Sequence, residues 1–483
     1  MKRGQIALLI LVSVLTFALV YLPHLDYHFP YHIDEWHHIT EAEKLKEGNY
    51  SGGSIGFRAG FHLLLMIFSY FIDLLSIYEF LPAIWAVVSG LVLFFVTYKK
   101  TQRFSIALFA MIFFASIKSN VNITGLWFFT PLTFSIPFIF LYFYFFTEGL
   151  EKKNKKYIYI SLALMLFLLF VHSISVLFAL PILIIYSLMH IDYIKKNYKV
   201  FSLFLLVPIF GLLFYKFMMG IQFSGLFSSI INAIQFKKGW GILELNNSFL
   251  ELYSLIGYVL AIAGSIFIFT IEKKPKKYII FLIWSIIVLI YIFFYRLTDV
   301  SYLSPYQRNL YYLAISLPML SAFGLYHLIR LSKIGLNKIS MKRAVRENLK
   351  VIITIILILL TMFFAFKSYY SLPEQIKLYE LVDDDVLKTL DFMKSLPKSK
   401  TLAPLGMSTA LYPISGHDPV ATISFYGDRK DVGIFFSDSI CRDKNEILKE
   451  HSVKYVISKD RINCGWRLIY DESYSVYEIG NIK

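Results

Sequence analysis

The stretch QIALLILVSVLTFALVYL, residues 5–22, is followed closely by HIDEWHHITEAEKLKEG, residues 32–48. The first stretch is an apolar run of the length that crosses a bilayer, for which about 18 residues suffice. No small-residue cleavage site follows it, so we predict an uncleaved first span. The second stretch concentrates carboxylates and imidazoles just beyond that span. Together, these two stretches predict a membrane protein whose first loop carries out chemistry.

The composition supports this class. Of the 483 residues, 57% are hydrophobic and 17% are charged, and the mean hydropathy is +0.60. Soluble domains average about 45–50% apolar and about 25% charged residues. These values exclude a soluble enzyme, a disordered chain and a collagen-like fibre, and two cysteines exclude a disulfide-rich scaffold.

Apolar runs of helical length recur along the chain and predict a polytopic α-helical membrane protein. They lie at 5–22, 59–77, 80–98, 104–118, 126–147, 158–171, 173–189, 200–220, 250–271, 278–296, 308–330 and 351–369.

Lysine and arginine clusters predict the topology, because cytoplasmic loops carry an excess of these residues. Clusters follow every second run from 80–98 onward, at 99–103, 152–156, 195–199, 273–277 and 330–350. All of these clusters fall on the cytoplasmic side only if segment 59–77 does not cross the membrane. The prediction is then about eleven spans, with the N-terminus inside and the C-terminus outside. That segment would be a re-entrant or interfacial helix, and Asp73 within it fits this interpretation. A twelve-span topology with one basic loop outside is the alternative. The net charge of +15 then reflects topology and attraction to anionic lipid, and predicts no nucleic-acid partner.

Two parts follow from this topology: a multi-span domain at 1–369, which includes an outer juxtamembrane loop at 23–79, and a small outer α/β or α+β domain at 370–483. In the second part the pattern predicts a helix at 374–396, strand-like runs at 402–413 and 420–425, a helix at 445–452, a strand at KYVIS and a final hairpin. Cys441 and Cys464 are candidates for a disulfide there, with two buried thiols as the alternative.

The first loop holds the densest set of titratable groups. A helix beginning at Asp34 places Asp34, His38 and Glu41 on one face, where a carboxylate and an imidazole can bind a divalent metal or share a proton. We therefore take Asp34 and Glu35 as candidate catalytic residues. The candidates for metal binding or proton sharing are His37, His38 and Glu41. The alternative is an interfacial helix with Asp34 as its N-cap and Trp36 anchored at the lipid headgroups.

Basic residues at the predicted outer ends of spans are candidates for binding a lipid phosphate. Arg308 comes first, because a guanidinium binds phosphate in a bidentate manner. Arg296 and Lys118 are further candidates, and for an arginine at a span end the alternative is a snorkelling anchor. The sequence contains no Walker A, GxGxxG or HExxH motif, so we expect no nucleotide cofactor. A divalent cation such as Mn²⁺ or Mg²⁺ is a candidate cofactor.

The long acidic first loop with Asp34-Glu35, the entry GFRAGFHLLL, the late-span Arg308 and the small outer tail together resemble the GT-C membrane glycosyltransferases. That superfamily includes protein O-mannosyltransferases, the lipid A aminoarabinose transferase and the oligosaccharyltransferase catalytic subunit. The resemblance implies a transferase that uses a polyprenyl-phosphate-linked sugar donor at the outer membrane face. It implies that Asp34 is the catalytic or acceptor-orienting residue and that Arg308 holds the lipid phosphate.

The chain departs from the oligosaccharyltransferases in two places. The WWDYG motif is absent, and residues 118–125 read KSNVNITG where a second acidic motif is expected. These departures favour hexosyl or pentosyl transfer over transfer of an oligosaccharide to asparagine. Direct displacement of the lipid phosphate would invert the anomeric centre, so we expect an inverting enzyme. The expected partners are the lipid-linked donor, a glycan, lipid or protein acceptor, and membrane lipid. The expected location is the plasma membrane, with the C-terminal domain extracytoplasmic. A lipid-linked glycan flippase or transporter, an O-antigen ligase-like enzyme and a non-catalytic assembly protein are the alternatives.

Overall fold

The computed structural model describes most of the chain. The described residues are 2–49, 58–120, 123–219, 234–237, 252–272, 277–340, 342–367, 379–423, 427–437 and 440–480.

The secondary structure is dominated by helices up to residue 366 and is mixed thereafter. The elements before residue 220 are α1 (Arg3–Tyr21), α2 (Ile33–Lys46), α3 (Ala59–Ser69), α4 (Leu74–Tyr78), α5 (Leu81–Thr101), α6 (Phe104–Ala115), α7 (Pro131–Glu151), α8 (Lys155–His172), α9 (Ile174–Leu177), α10 (Leu180–Leu188), α11 (Ile191–Lys196), α12 (Tyr198–Ser202) and α13 (Leu206–Met219). The next elements are β1 (Gln235–Lys237), α14 (Leu255–Thr270), α15 (Ile279–Thr298), β2 (Val300–Tyr302), α16 (Tyr306–Asn337) and α17 (Arg343–Phe366). The last are α18 (Asp384–Lys394), β3 (Lys400–Leu402), α19 (Leu405–Ser415), β4 (Asp418–Pro419), α20 (Arg429–Phe436), α21 (Cys441–Glu450), β5 (Tyr455–Ser458), β6 (Arg467–Asp471) and β7 (Ser475–Glu478).

Each apolar run named above contains helix, so the prediction of a polytopic helical membrane protein is confirmed at that level. Within the described residues, 7 helices are long and apolar enough to cross a membrane. They are Arg3–Leu25, Leu81–Thr101, Pro131–Glu151, Lys155–His172, Ile279–Thr298, Tyr306–Asn337 and Arg343–Phe366. The other apolar runs form shorter helices, and the number of spans and their direction stay predictions.

Segment 59–77 is divided between two helices. The first, α3, has 11 residues, and at 1.5 Å per residue it covers about half of the ~30 Å hydrocarbon core. The second, α4, begins where the Asp73 carboxylate accepts a hydrogen bond from the Ser76 amide at 3.0 Å. Asp73 therefore acts as an N-cap that starts a new helix.

The described chain divides into two compact units. Unit 1 comprises Met1–Pro23, Ser51–Phe61 and Phe80–Leu372, and unit 2 comprises His24–Tyr50, His62–Glu79 and Pro373–Lys483. Unit 2 therefore unites most of the first loop with the C-terminal region, although more than 290 residues of sequence, from Phe80 to Leu372, separate them.

Buried ion pairs in unit 1 join helix ends that the charge pattern predicts on one side of the membrane. The Lys100 ammonium at the end of α5 lies 2.9 Å from Glu148 and 3.0 Å from Glu151, at the end of α7. Arg103 pairs with Glu272, which follows α14. The basic cluster at 99–103 thus has carboxylate partners, which lowers the cost of burying Lys100.

The C-terminal part of unit 2 contains a five-stranded mixed sheet in the order β4-β3-β5-β7-β6. Strand β3 pairs in parallel with β4 and β5, and the hairpin β6–β7 is antiparallel, as predicted. The strand-like interpretation of 402–413 is wrong beyond residue 402, because Leu405–Ser415 forms helix α19 behind Pro404. Part of the helix predicted at 374–396 lies outside the described residues. In the described part the helix begins only at Asp384, with Asp383 as N-cap, so the prediction is wrong for residues 379–383. A disulfide joins Cys441 and Cys464, whose Cα atoms are 5.4 Å apart.

A close contact between two helices of unit 1 depends on two glycines. A Cβ atom at Gly264 of α14 would collide with the Leu320 carbonyl oxygen of α16, and one at Gly324 would collide with the Leu260 carbonyl oxygen. Small residues at such crossings let two backbones approach closely in a membrane.

We expect Gly264→Ala to lower the thermal stability of the detergent-solubilised chain, because the helices must separate to admit the methyl group. Gly335→Ala on α16 is the matched control, since a Cβ there meets no atom within 4 Å. Alanine is the better helix former by about 0.5–1 kcal/mol, so the control should be neutral or slightly stabilising. Equal melting temperatures for both variants would contradict the close crossing.

Candidate active site in the first loop

The first-loop helix α2 is started by a reciprocal cap. The His32 Nδ1 atom accepts a hydrogen bond from the Asp34 amide at 3.0 Å, and the Glu35 carboxylate accepts one from the His32 amide at 2.8 Å. Glu35 is fully buried. The N-cap is therefore His32 and not Asp34, which corrects the capping assigned to Asp34 in the interfacial alternative. The Glu35 carboxylate is thus already bound to the His32 amide, and a role as catalytic base would have to be combined with this capping role.

Trp36 is fully buried in a hydrophobic core made with the C-terminal region. Its neighbours in that core include Val386, Leu390, Met407 and Tyr455. The indole N–H donates to the Pro30 carbonyl oxygen at 2.9 Å, so its polar atom is satisfied. The interpretation of Trp36 as a headgroup anchor is wrong, because the indole contacts protein rather than lipid.

Asp34 lies in the first turn of α2 and remains partly accessible. Its side chain is 27% exposed, and its carboxylate is 3.9 Å from the His32 ring. The first turn is the positive end of the helix dipole, which favours the carboxylate form. Of the acidic pair Asp34-Glu35, Asp34 is thus the member that retains solvent access.

Three histidines of unit 2 converge beside α2. The Nδ1 atom of His38 and the Nε2 atom of His62 are 2.9 Å apart, and both residues are buried. His37 contributes a third imidazole, and one ring nitrogen from each lies within 4.8 Å of the others. Among the described residues, this is the group whose donor atoms are placed to hold a metal. Glu41, predicted to share in this group, instead lines an adjacent pocket.

That pocket lies between α2 and α19 within unit 2. It is lined by His37, Thr40, Glu41, Lys44, Ser408, Thr409, Tyr412, Pro419 and Thr422. Glu41 is 2% exposed, and its Oε2 atom has no hydrogen-bond partner among the described residues. A buried carboxylate oxygen without a partner is costly, so Glu41 is an unusual residue in the lining of this pocket.

Ion pairs hold the C-terminal end of α2 in place. Lys44 binds Asp418 at 2.9 Å, and Glu47 accepts hydrogen bonds from Lys398 at 2.7 Å and from the Tyr412 hydroxyl at 2.8 Å. The bond from Lys398 holds the pKa of Glu47 below its usual range. Both ends of α2 are thus fixed, which restricts where its middle turns can lie.

Arg308 lies in the first turn of α16 in unit 1 and contacts the predicted outer turn. Its Nη1 atom donates to the Ile123 carbonyl oxygen and to the Thr124 hydroxyl, each at 3.0 Å. The Lys118 amide, at the start of the same turn, donates to the Leu252 carbonyl oxygen at 2.9 Å. Arg308 and Lys118 therefore belong to one polar end of the helix bundle.

Arg296 lies at the C-terminal end of α15, in the same unit. Its Nε atom donates to the Tyr306 hydroxyl at 2.9 Å, so it contacts the start of α16 two residues before Arg308. Asp34, Glu35 and the histidines belong to unit 2, whereas the three basic candidates belong to unit 1.

His62 is a residue of this site that the sequence pattern does not single out. It stands at the fourth position of α3 in an otherwise apolar run, where a histidine usually serves as a core residue. The sequence feature that could have indicated His62 is its position in a segment predicted not to cross the membrane, since such a segment keeps an imidazole near the first loop.

Comparison with known proteins gives the class of fold. No family model and no curated protein matches the sequence. Solved structures do match. The oligosaccharyltransferase of Archaeoglobus fulgidus, tethered to an acceptor peptide, has a TM-score of 0.57 at 13% identity and matches 95% of this chain and 69% of its own. The same organism's AglB with an inhibitory peptide and a dolichol-phosphate has a TM-score of 0.56 at 13% identity, over 95% and 69%.

ArnT from Cupriavidus metallidurans is similar over almost the whole of both chains. It has a TM-score of 0.57 at 11% identity and covers 98% of this chain and 97% of its own. These structural neighbours are GT-C glycosyltransferases. The chain therefore has the GT-C fold, and the resemblance drawn from its sequence is confirmed at that level.

We expect Glu35→Ala to destabilise the full chain by about 1–3 kcal/mol, because the buried His32 amide loses its acceptor. Thermal unfolding of the solubilised protein, followed by circular dichroism, measures the loss. Asp34→Ala is the control and should cost only about 0.3–1 kcal/mol through the helix dipole.

Glu35→Gln should recover much of the stability, because an amide oxygen can accept the same hydrogen bond. Equal stability of Glu35→Ala and the unmodified protein would show that the cap contributes nothing.

Proposed function

We propose that this protein is a glycosyltransferase that moves a sugar from a polyprenyl-phosphate-linked donor to an acceptor at the outer membrane face. The observation that carries the proposal is the GT-C fold, shared along nearly the whole chain with enzymes of that class. The neighbour that binds a dolichol-phosphate and the one tethered to an acceptor peptide support the two partner classes. The donor sugar is a single hexose or pentose, and the acceptor is a glycan, a lipid or a protein.

The proposed topology has the N-terminus inside and the C-terminus outside, with α2 and the C-terminal region of unit 2 outside the membrane. Its support is the basic clusters, together with the ion pairs that unite their helix ends. An outer-face site also fits a donor carried by a lipid rather than by a nucleotide.

In the proposed reaction Asp34 is the general base. An acceptor hydroxyl oxygen forms a bond to the anomeric carbon as the bond from that carbon to the lipid phosphate oxygen breaks. The hydroxyl proton passes to the Asp34 carboxylate, and the bonding electrons leave with the lipid phosphate. Glu35 serves as the positioning residue, because its carboxylate binds the His32 amide that begins the helix. Direct displacement inverts the anomeric centre, so a product of retained configuration would exclude this step.

Arg308 is the proposed partner of the lipid phosphate, with Lys118 and Arg296 as further cations. Its attachment to Ile123 and Thr124 restricts the guanidinium to one end of the bundle. A guanidinium has five N–H donors in a planar fork, which suits bidentate binding of a phosphate. A cation at the leaving phosphate stabilises the charge that develops there, which lowers the need for a general acid.

We expect Asp34→Asn to reduce donor consumption by about 10²–10⁴-fold, the usual contribution of a general base. The measurement follows a labelled pool of polyprenyl-phosphate sugars in isolated membranes at matched expression. Asp443→Asn is the control, since it also changes an exposed acid in the first turn of a helix. Equal consumption by Asp34→Asn and the unmodified protein would exclude Asp34 as the base. If neither Asp34→Asn nor the unmodified protein consumes the donor, a transporter or an assembly protein is favoured.

We expect Arg308→Gln to lower kcat/KM for the donor by about 10–100-fold, because a charge-assisted hydrogen bond to phosphate contributes about 1.5–3 kcal/mol. Arg330→Gln, an exposed change on the same helix, is the control. Thermal unfolding measured in parallel separates loss of the Thr124 contact from loss of donor binding. A donor kcat/KM unchanged in a stable Arg308→Gln protein would contradict the role.

A further inference from the structure

We infer that His37, His38 and His62 form a binding site for a zinc-class divalent transition metal. The inference concerns metal binding alone and does not rest on the proposed transferase activity. Each residue offers one ring nitrogen, and these nitrogens lie within 4.8 Å of one another. The set differs from the acid-containing group expected from the sequence, because His62 replaces Glu41.

The geometry is close to what a metal requires. Zinc–nitrogen bonds of about 2.0–2.1 Å in a tetrahedral site place two ligand nitrogens about 3.4 Å apart. The His38 and His62 nitrogens are 2.9 Å apart, so separation by about 0.5 Å would admit the ion. His37, whose ring centre is 5.5 Å from that of His38 and 6.1 Å from that of His62, closes in by side-chain rotation.

A shared proton between His38 and His62 accounts for their distance but not for the third ring. A hydrogen bond needs two nitrogens, and the pair gains nothing from a further imidazole brought close to both. Neutral imidazoles with a nitrogen lone pair are the form that binds metal.

The ligand type determines the class of ion. Imidazole nitrogen suits zinc, copper, nickel and iron, whereas magnesium and calcium prefer oxygen ligands. Three histidines are also a ligand set of zinc sites that keep a fourth position open for water or substrate. We therefore favour a zinc-class ion here over the Mn²⁺ or Mg²⁺ named from the sequence.

The surroundings include a neighbouring cavity and have a structural consequence. His37 also lines the pocket that contains Glu41 and Lys44, so the histidine group lies beside a cavity. His38 and His62 are 24 positions apart in sequence and belong to α2 and α3. A bound ion would therefore link these two helices of the first loop.

The test uses the full chain in detergent, stripped with a chelator and titrated with Co²⁺, which reports tetrahedral binding by its visible absorption. We expect about one equivalent of Co²⁺ per chain, displaced by Zn²⁺ and not by a large excess of Mg²⁺. His62→Ala and His38→Ala should each weaken binding at least ~10-fold, in the range found when metal-site residues are lost. His28→Ala is the matched control, because this first-loop histidine has a side chain that is 70% exposed.

His62→Gln keeps the side-chain volume and replaces His62→Ala if the smaller residue prevents folding. Zinc should also raise the unfolding temperature of the unmodified protein and of His28→Ala but not of the His62 variants. Sub-stoichiometric Co²⁺ binding by the unmodified protein, equal binding by a folded His62 variant, or displacement by Mg²⁺ would each overturn the inference. If the unmodified protein binds Co²⁺ but transfers no sugar from the lipid-linked donor, the proposed function is contradicted and the metal site still stands.

Discussion

Burial of Trp36 is the interaction on which the arrangement of the first loop depends. The indole is fully buried among residues of α18, α19 and β5. Full burial of an aromatic side chain contributes roughly 1.5–3 kcal/mol, so the helix that carries it is held firmly against this core. The neighbouring residues of α2 acquire their surroundings from that one contact. Glu35 on one side caps the helix, and His37 and His38 on the other reach His62.

The C-terminal region of unit 2 therefore serves as the support for the first loop. Three kinds of contact act together: the Trp36 core, the Lys44–Asp418 and Glu47–Lys398 ion pairs, and the hydrogen bond from the Val382 amide to the Tyr27 hydroxyl. Exposed ion pairs contribute little individually, about 0–1 kcal/mol, so the apolar core provides most of the stability. The ion pairs set the orientation of the helix, because each requires a defined placement of a long side chain.

The sequence was sufficient where a local pattern determines the structure. Each long apolar run contains helix, α2 covers the predicted stretch, and the final hairpin forms as expected, since these depend on periodicity and neighbouring residues. The pattern failed at 402–413, where short apolar runs between glycine and proline resemble strands but form helix α19. Contacts between distant segments could not be read at all. The Tyr27–Val382 bond joins residues 355 positions apart, and no periodic feature marks such a pair.

The candidate site was predictable in its residue types and not in their roles. Asp34 and Glu35 are adjacent in sequence, yet one is partly exposed and the other is fully buried and bound to the helix cap. Only the direction of the helix relative to its supporting core distinguishes them. Successive residues of a helix turn by a fixed angle and rise about 1.5 Å, so the adjacent Asp34 and Glu35 face different surroundings. Glu35 and His38 are buried, whereas Asp34, one turn before His38 at the start of the helix, retains access to solvent. A carboxylate for proton transfer and imidazoles for a metal can then occupy one short helix without competing for the same position.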